Sequence, residues 1–236
     1  MKESILHFSQ KVVPTIAMII NLVRLLQLCS QTLPVGAYAY SQALEFVISG
    51  GLVNDQQSAE EWIEGVFLHS FGKLDLPALA EAHDSVECKD WCRLKEIDEY
   101  LQASRETREL LLEDVEMGRA LKRLLMNMDV ETGVSETPSF VTQFACAGVG
   151  WGIGLQELLT GLSYNWLENQ VMVATKTVPL GQSEAQKMLH QLCGLISTNA
   201  TEAIELSKGS DYGDSLHGLA IMSSRHEAME ARLYRS

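Results

Sequence analysis

The chain of 236 residues is short of positive charge: 18 lysines and arginines stand against 31 acids, a formal net charge of −13. That deficit argues against nucleic acid as a partner, because a phosphate backbone is bound by clustered Lys and Arg. Cysteine is sparse and odd in number, with Cys29, Cys88, Cys92, Cys146 and Cys193 scattered along the length. This is no disulfide framework, and it fits a reducing, cytoplasmic compartment. An uninterrupted apolar run is also missing. The nearest candidate, Val12–Cys29, carries Asn21, Arg24 and Gln27, and a central Arg costs roughly 2.5–3.5 kcal/mol on insertion scales. No membrane span is expected, and Gln27-Leu28 before Cys29 does not read as a lipoprotein cleavage site. Catalytic signatures are absent too. There is no G-x-S-x-G elbow, and His7, His69, His83, His190, His217 and His226 pair locally with no nucleophile. The segment GVGWGIG (148–154) lacks the spacing and the Lys-Ser/Thr of a nucleotide loop. Its alternating small residues beside Trp151 read instead as a place where two helices approach closely.

What is present is helical. Hydrophobic residues make up 46% of the chain with a mean hydropathy of +0.01, a globular composition able to bury a sizeable core. In the first candidate helix Ile16, Ile19, Ile20, Val23 and Leu26 line one face while Asn21 and Arg24 leave it, so that face is expected to dock on the core or on a partner. Asp55 or Ser58 caps a second helix, Ser58–Glu61 having capping-box spacing, and Trp62, Ile63, Val66, Phe67, Ser70, Phe71 and Leu74 follow as a buried stripe. Ser104 is expected to open a further helix with Leu111, Val115, Leu121, Leu124 and Leu125 inward. Its Glu109–Glu113 and Arg119–Arg123 pairs repel at four-residue spacing, so packing must hold it.

Thr137-Pro138 reads as cap and first residue of another helix, and Ser183–Gln186 as a capping box. Val171–Val178 is β-branched enough for a strand, yet Leu162, Trp166, Val173 and Thr177 keep a helical period up to Pro179. Lys208–Ser215 is a loop by composition, and Met222, His226, Met229 and Leu233 continue at heptad-like spacing. The expectation is an all-α, single helical-bundle domain.

Three places could carry function. Pro34-Val35-Gly36 is a turn beside Tyr38 and Tyr40, suited either to protein contact or to two partly buried core tyrosines, with Tyr40 or Ser41 starting a helix. His83, Cys88 and Cys92 form a candidate metal set, the two thiols four apart and so on one helix face. From Glu81 to Glu116, twelve acids face five bases, most simply a solvated helical face.

Three ordered blocks then carry a resemblance: LLQLCSQTLPVGAYAYSQALE (25–45), KTVPLGQSEAQKML (176–189) and SSRHEAMEARLYRS (223–236). They resemble the UreF family of urease accessory proteins, whose signature runs L-P-[VI]-G-[AGS]-[FY]-[ST]-x-S-x-G-L-E and whose ending reads M-x-H-E-x-x-x-x-R-L-[FY]-x-S. The likeness divides the chain into an N-terminal extension, 1–24, and a UreF-like all-α domain, 25–236, whose tail, 209–236, binds a partner. It implies a chaperone without catalytic activity, a homodimer that binds the UreD (UreH) accessory protein and recruits or modulates the UreG GTPase. Together they install nickel in the metallocentre of apo-urease. Nickel and GTP would be handled by the complex, with no cofactor of this chain's own.

By the same resemblance Tyr38, Lys176, Gln182 and Tyr164 face the GTPase, and His226, Glu227, Arg232, Leu233 and Tyr234 order against UreD/UreH. The chain departs from the pattern at Ala39, at Ser224 and at Ala43, which replaces a glycine; Ala being the better helix former, the helix there should survive. A rival expectation is a direct nickel carrier using His83, Cys88 and Cys92.

Overall fold

In the computed structural model, which describes residues 18–209 and 212–236, the stripe from Trp62 to Leu74 runs through three joined helical segments. In chain order the elements are α1 (residues 18–28), a short 3-10 turn (Ala37–Ala39), α2 (Leu44–Ser49), α3 (Gln56–Val66), a π-helical stretch (Phe67–Phe71) and α4 (Gly72–Glu87). Then come α5 (Trp91–Ser104), α6 (Arg108–Met126), α7 (Phe140–Trp151), α8 (Leu155–Thr177), α9 (Gln182–Cys193), α10 (Ile196–Ser207) and α11 (His217–His226). No strand occurs among the described residues, and none of their helices is long and apolar enough to cross a membrane. Ile16 and most of the expected extension, as well as part of the 208–215 loop, lie outside the described residues.

The centre is α4. Leu74, Leu76, Ala78, Leu79, Ala80, Ala82 and Val86 are all buried, as in a helix surrounded by others. It packs against α5, α7, α8 and α10. The π-helical stretch turns Phe67 and Phe71 onto Trp166 of α8, with ring centroids 5.8 and 5.1 Å away, a packing worth about 0.5–1.5 kcal/mol per pair beyond area burial. The 148–154 segment joins α7 to α8: a Cβ on Gly148 would stand 2.4 Å from the Leu158 side chain, so at Gly148 the two helices approach closely as expected.

The local expectations are settled one by one, some holding and others displaced by a few residues. The cap of α3 is Asp55, whose Oδ1 accepts from Ser58 N at 2.8 Å while Ser58 Oγ accepts from Asp55 N at 3.2 Å, so Ser58 lies inside the helix and no Ser58–Glu61 box forms. Ser104 ends α5, and Thr107 caps α6 instead. Ser139 rather than Thr137 precedes α7, and Glu184 accepts from Gly181 N at 2.9 Å to start α9 in place of Ser183–Gln186. Over Val171–Val178 the helical period holds as far as Thr177, with Val171, Val173 and Val178 buried against the core; packing outweighs β-propensity. The final helix stops at His226, short of Met229 and Leu233.

For α1, docking of the apolar face on this chain's own core is overturned, while the partner alternative is untouched. The apolar stripe points outward, with Ile19 53%, Val23 58% and Leu26 63% exposed, while the polar side meets the protein. Arg24 donates to Trp151 O at 2.8 Å, and Asn21 donates to Gly152 O. The last carbonyls of a helix lack intrahelical donors, and at the end of α7 these two side chains supply them. Leu25, Leu28 and Cys29 make the apolar contact instead.

α6 crosses the start of α7 so closely that a Cβ on Gly118 would lie 2.1 Å from Pro138 O. That backbone cannot retreat freely, because Asp114 Oδ1 holds Phe140 N at 2.9 Å and accepts from Ser139 Oγ at 2.8 Å. Gly118→Ala is expected to cost about 3 kcal/mol, read as a lowered urea midpoint with the slope unchanged. Leu26→Lys, on the exposed stripe, should move the same midpoint by less than about 0.5 kcal/mol equivalent.

Candidate functional site

The loop after α1 is anchored from inside and open at its crest. Leu33 and Val35 are buried, Pro34 is exposed, and Gly36 takes φ +80° to enter the 3-10 turn. The two tyrosines divide. Tyr38 is 58% exposed, whereas Tyr40 is buried, donating to Glu116 Oε2 at 3.0 Å while its carbonyl accepts from Asn169 Nδ2 at 3.1 Å. Burial and the Glu116 carboxylate push the Tyr40 hydroxyl up to about 12.

Neither Tyr40 nor Ser41 starts a helix, because Gln42 (φ 50°) and Ala43 (φ 67°) are left-handed and α2 begins at Leu44. Helix propensity is therefore irrelevant at Ala43. An L-residue there costs about 1–2 kcal/mol, and the surroundings hold it: Trp166 Nε1 donates to Gln42 Oε1 at 2.9 Å and Gln42 Nε2 to Glu113 Oε1 at 2.8 Å.

In the acidic run the solvated-face expectation holds for the seven acids that are exposed and gives way at four. Asp98, Glu109, Glu113 and Asp114 are buried. Glu109, Glu113 and Glu116 follow at intervals of four and three on one side of α6, and together with Glu45 of α2 they grip the tail. His226 is fully buried, Nδ1 2.7 Å from Glu109 Oε2 and Nε2 3.1 Å from Glu45 Oε2. Glu45 also accepts from Leu233 N (2.7 Å) and Tyr234 N (3.0 Å). Arg232 pairs with Glu109, Arg235 with Glu116 at 3.1 Å, and Ser236 Oγ donates to Glu113 at 2.7 Å. The tail also joins the loop: Ser41 N donates to Ser236 O at 2.9 Å and Arg235 N to Ala39 O at 2.8 Å.

Behind them Arg105 bridges Asp75 (2.7 Å) and Asp114 (3.4 Å), and these groups with Glu113 and Asn169 wall a cavity of about 80 Å³. Burial pushes Glu113 up to about 7 and Asp98 to about 6.

Of the tail residues, His226 and Tyr234 are buried, while Glu227, Arg232 and Leu233 reach solvent, Leu233 with 78% of its area. On α8, Tyr164 donates to Glu168 Oε1 at 3.0 Å, and the other Glu168 oxygen accepts from Gln31 Nε2, which ties Tyr164 to the loop. Lys176 lies exposed in the last turn of α8 and Gln182 exposed at the start of α9. Among the described residues no hydrogen bond or ion pair links Lys176 or Gln182 to Tyr38. Beside Tyr38 runs instead a groove walled by Arg119, Arg123, Arg235 and Glu116, which sequence reasoning missed. The repelling Glu109–Glu113 and Arg119–Arg123 pairs were its available signal. The thiol set is not assembled: α4 ends before Cys88, Cys92 belongs to α5, and Lys89 between them is left-handed (φ 56°), so the two share no helix face.

Comparison with known proteins gives the chain's family. A family model, UreF, matches residues 53–193. The chain belongs to the UreF family. A urease accessory protein UreF of Teredinibacter turnerae is 44% identical over 92% of this chain and 99% of its own length. Those of Chromohalobacter salexigens and Marinomonas sp. are 40% and 39% identical over 90% and 92% of this chain, and 93% and 95% of their own lengths. These UreF relatives are named as accessory proteins, and this chain stands with them rather than with enzymes.

The buried acids make stability depend on pH with a definite sign. Glu113 keeps its proton up to about pH 7 when folded but ionises from its ordinary 4.5 when unfolded. The folded state therefore holds more protons between those values, and this group's contribution to stability falls as pH rises through them. Glu113→Gln removes that loss. The variant is expected to gain on the parent by an amount on the order of 1–3 kcal/mol between pH 4.5 and 7, measured as urea midpoints; parallel profiles would contradict the assignment.

Proposed function

We propose that this UreF-family chain is a urease assembly chaperone that works through surface contacts: a cytoplasmic homodimer that binds a UreD/UreH-type accessory protein, recruits or modulates a UreG-type GTPase, and so promotes nickel insertion into apo-urease. The observation that carries the reading is the loop 33–40, where Leu33, Val35 and Tyr40 are buried while Tyr38 stands 58% exposed between them. An aromatic presented by an already ordered loop loses little entropy on binding, which is how hot spots form. The neighbouring Arg119, Arg123 and Arg235 give this acidic chain a basic rim suited to an acidic partner segment. Lys176, Gln182 and Tyr164 are the further GTPase contacts in this reading, all three at the surface.

The tail forms the second contact. Leu233 presents its side chain outward while its own N–H is held by Glu45, so Leu233, Arg232 and Glu227 would touch the UreD/UreH-type protein. His226 and Tyr234, being buried, would shape that surface from below. Chemistry belongs to the partners, since nickel and GTP are cargo and fuel of the complex in this reading. The dispersed thiols speak against a carrier built on His83, Cys88 and Cys92.

Tyr38→Ala and Lys176→Ala are each expected to weaken capture of the UreG-type GTPase by about 2 kcal/mol, roughly thirtyfold in Kd. Thermal stability should not move, because both side chains are exposed. Leu233→Asp should reduce co-purification with the UreD/UreH-type protein without affecting the fold. Unaltered GTPase capture by the Tyr38→Ala/Lys176→Ala double variant would refute the assignment.

A further inference from the structure

His83, on α4, is only 4% exposed, and among the described residues neither ring nitrogen has a hydrogen-bond partner. Buried polar atoms are nearly always paired, and leaving one unpaired costs about 1–3 kcal/mol. Nδ1 lies 3.8 Å from Asp84 Oδ1, too far for a hydrogen bond. One helical turn further on, Glu87 shares the histidine's face. His83, Asp84 and Glu87 each offer one ligand atom, and all three atoms lie within 4.8 Å of one another.

We propose that His83, Asp84 and Glu87 form a binding site for a divalent transition-metal cation of the zinc or nickel type. One imidazole and two carboxylates suit such borderline ions. Calcium and magnesium favour all-oxygen shells, and the group contains no thiolate to select a softer ion. Two carboxylates match a 2+ charge, and an ion would take the lone pair that the imidazole now offers to nothing. Ligand atoms on one ion at 2.0–2.2 Å stand up to about 4.4 Å apart. Asp84 and Glu87 are exposed, so rotating their side chains closes the remaining gap without disturbing the core. The ion arrives from solvent at the end of α4, and water completes its shell. This site is separate from the loop and tail on which the partner reading rests, so it stands or falls alone.

The test is isothermal titration of the full chain, without partners, by zinc chloride and separately by nickel chloride. The expected result is one ion bound per chain. Affinity should fall at least about tenfold in the Asp84→Asn/Glu87→Gln variant, whose exposed substitutions leave the helical circular dichroism unchanged. Cys88→Ser/Cys92→Ser should bind as the parent does. Absence of saturable binding, binding indifferent to Asp84→Asn/Glu87→Gln, or binding lost with the two thiols would each overturn the proposal.

Discussion

The organisation of the surface depends on one buried carboxylate. Glu45 accepts from two consecutive amides of the tail, Leu233 and Tyr234, and faces His226 Nε2. It can do so because α2 starts directly behind the strained Gln42-Ala43 turn, which directs the Glu45 side chain into the tail rather than into solvent. Hydrogen bonds to a charged acceptor are worth about 1.5–3 kcal/mol each, and a carboxylate taken from water needs several of them to offset its desolvation. Tail and loop are thus one structure: the loop positions Glu45, Glu45 holds the tail, and Ser236 O returns to accept from Ser41 N.

The acid excess of the chain takes its meaning from the same place. On a solvated helix Glu109, Glu113 and Glu116 would only repel one another. Here each has a counterpart from the tail: His226 and Arg232 for Glu109, Ser236 for Glu113, Arg235 for Glu116. Pairing tail bases with helix acids fixes a segment too short to build its own core. It also leaves the outward side chains of that segment, with Tyr38 beside it, as what another protein meets.

Much of the fold was legible from apolar spacing alone. The stripe from Trp62 to Leu74, the helix-joining role of the 148–154 glycines and the sharp turn at Pro34–Gly36 need only periodicity and backbone preferences. What was hidden depends on distant partners. Candidate caps stand every few residues, and distant contacts help select among them, as at Thr107, whose hydroxyl also meets Ser223 Oγ at 2.7 Å. The orientation of α1 was unreadable because its polar side answers orphan carbonyls of α7, more than a hundred residues away. The left-handed backbone at Ala43 had one sign, the glycine that stands there in the family signature, but not what holds it with an alanine: the grip of Trp166, Glu113 and Ser236 on the neighbouring Gln42. In the candidate site, sequence marked Tyr38 and the tail but not Glu45 or the α6 acids that support them.

The most direct measurement of this account is native-state hydrogen exchange at Ser41, Leu233 and Tyr234 in the parent and in Glu45→Gln. The account predicts that all three amides are protected in the parent and lose protection together in the variant, while core amides of α4 such as Leu79 are unchanged. Free exchange of Leu233 and Tyr234 in the parent, or a Ser41 that stays protected after the tail has loosened, would contradict it.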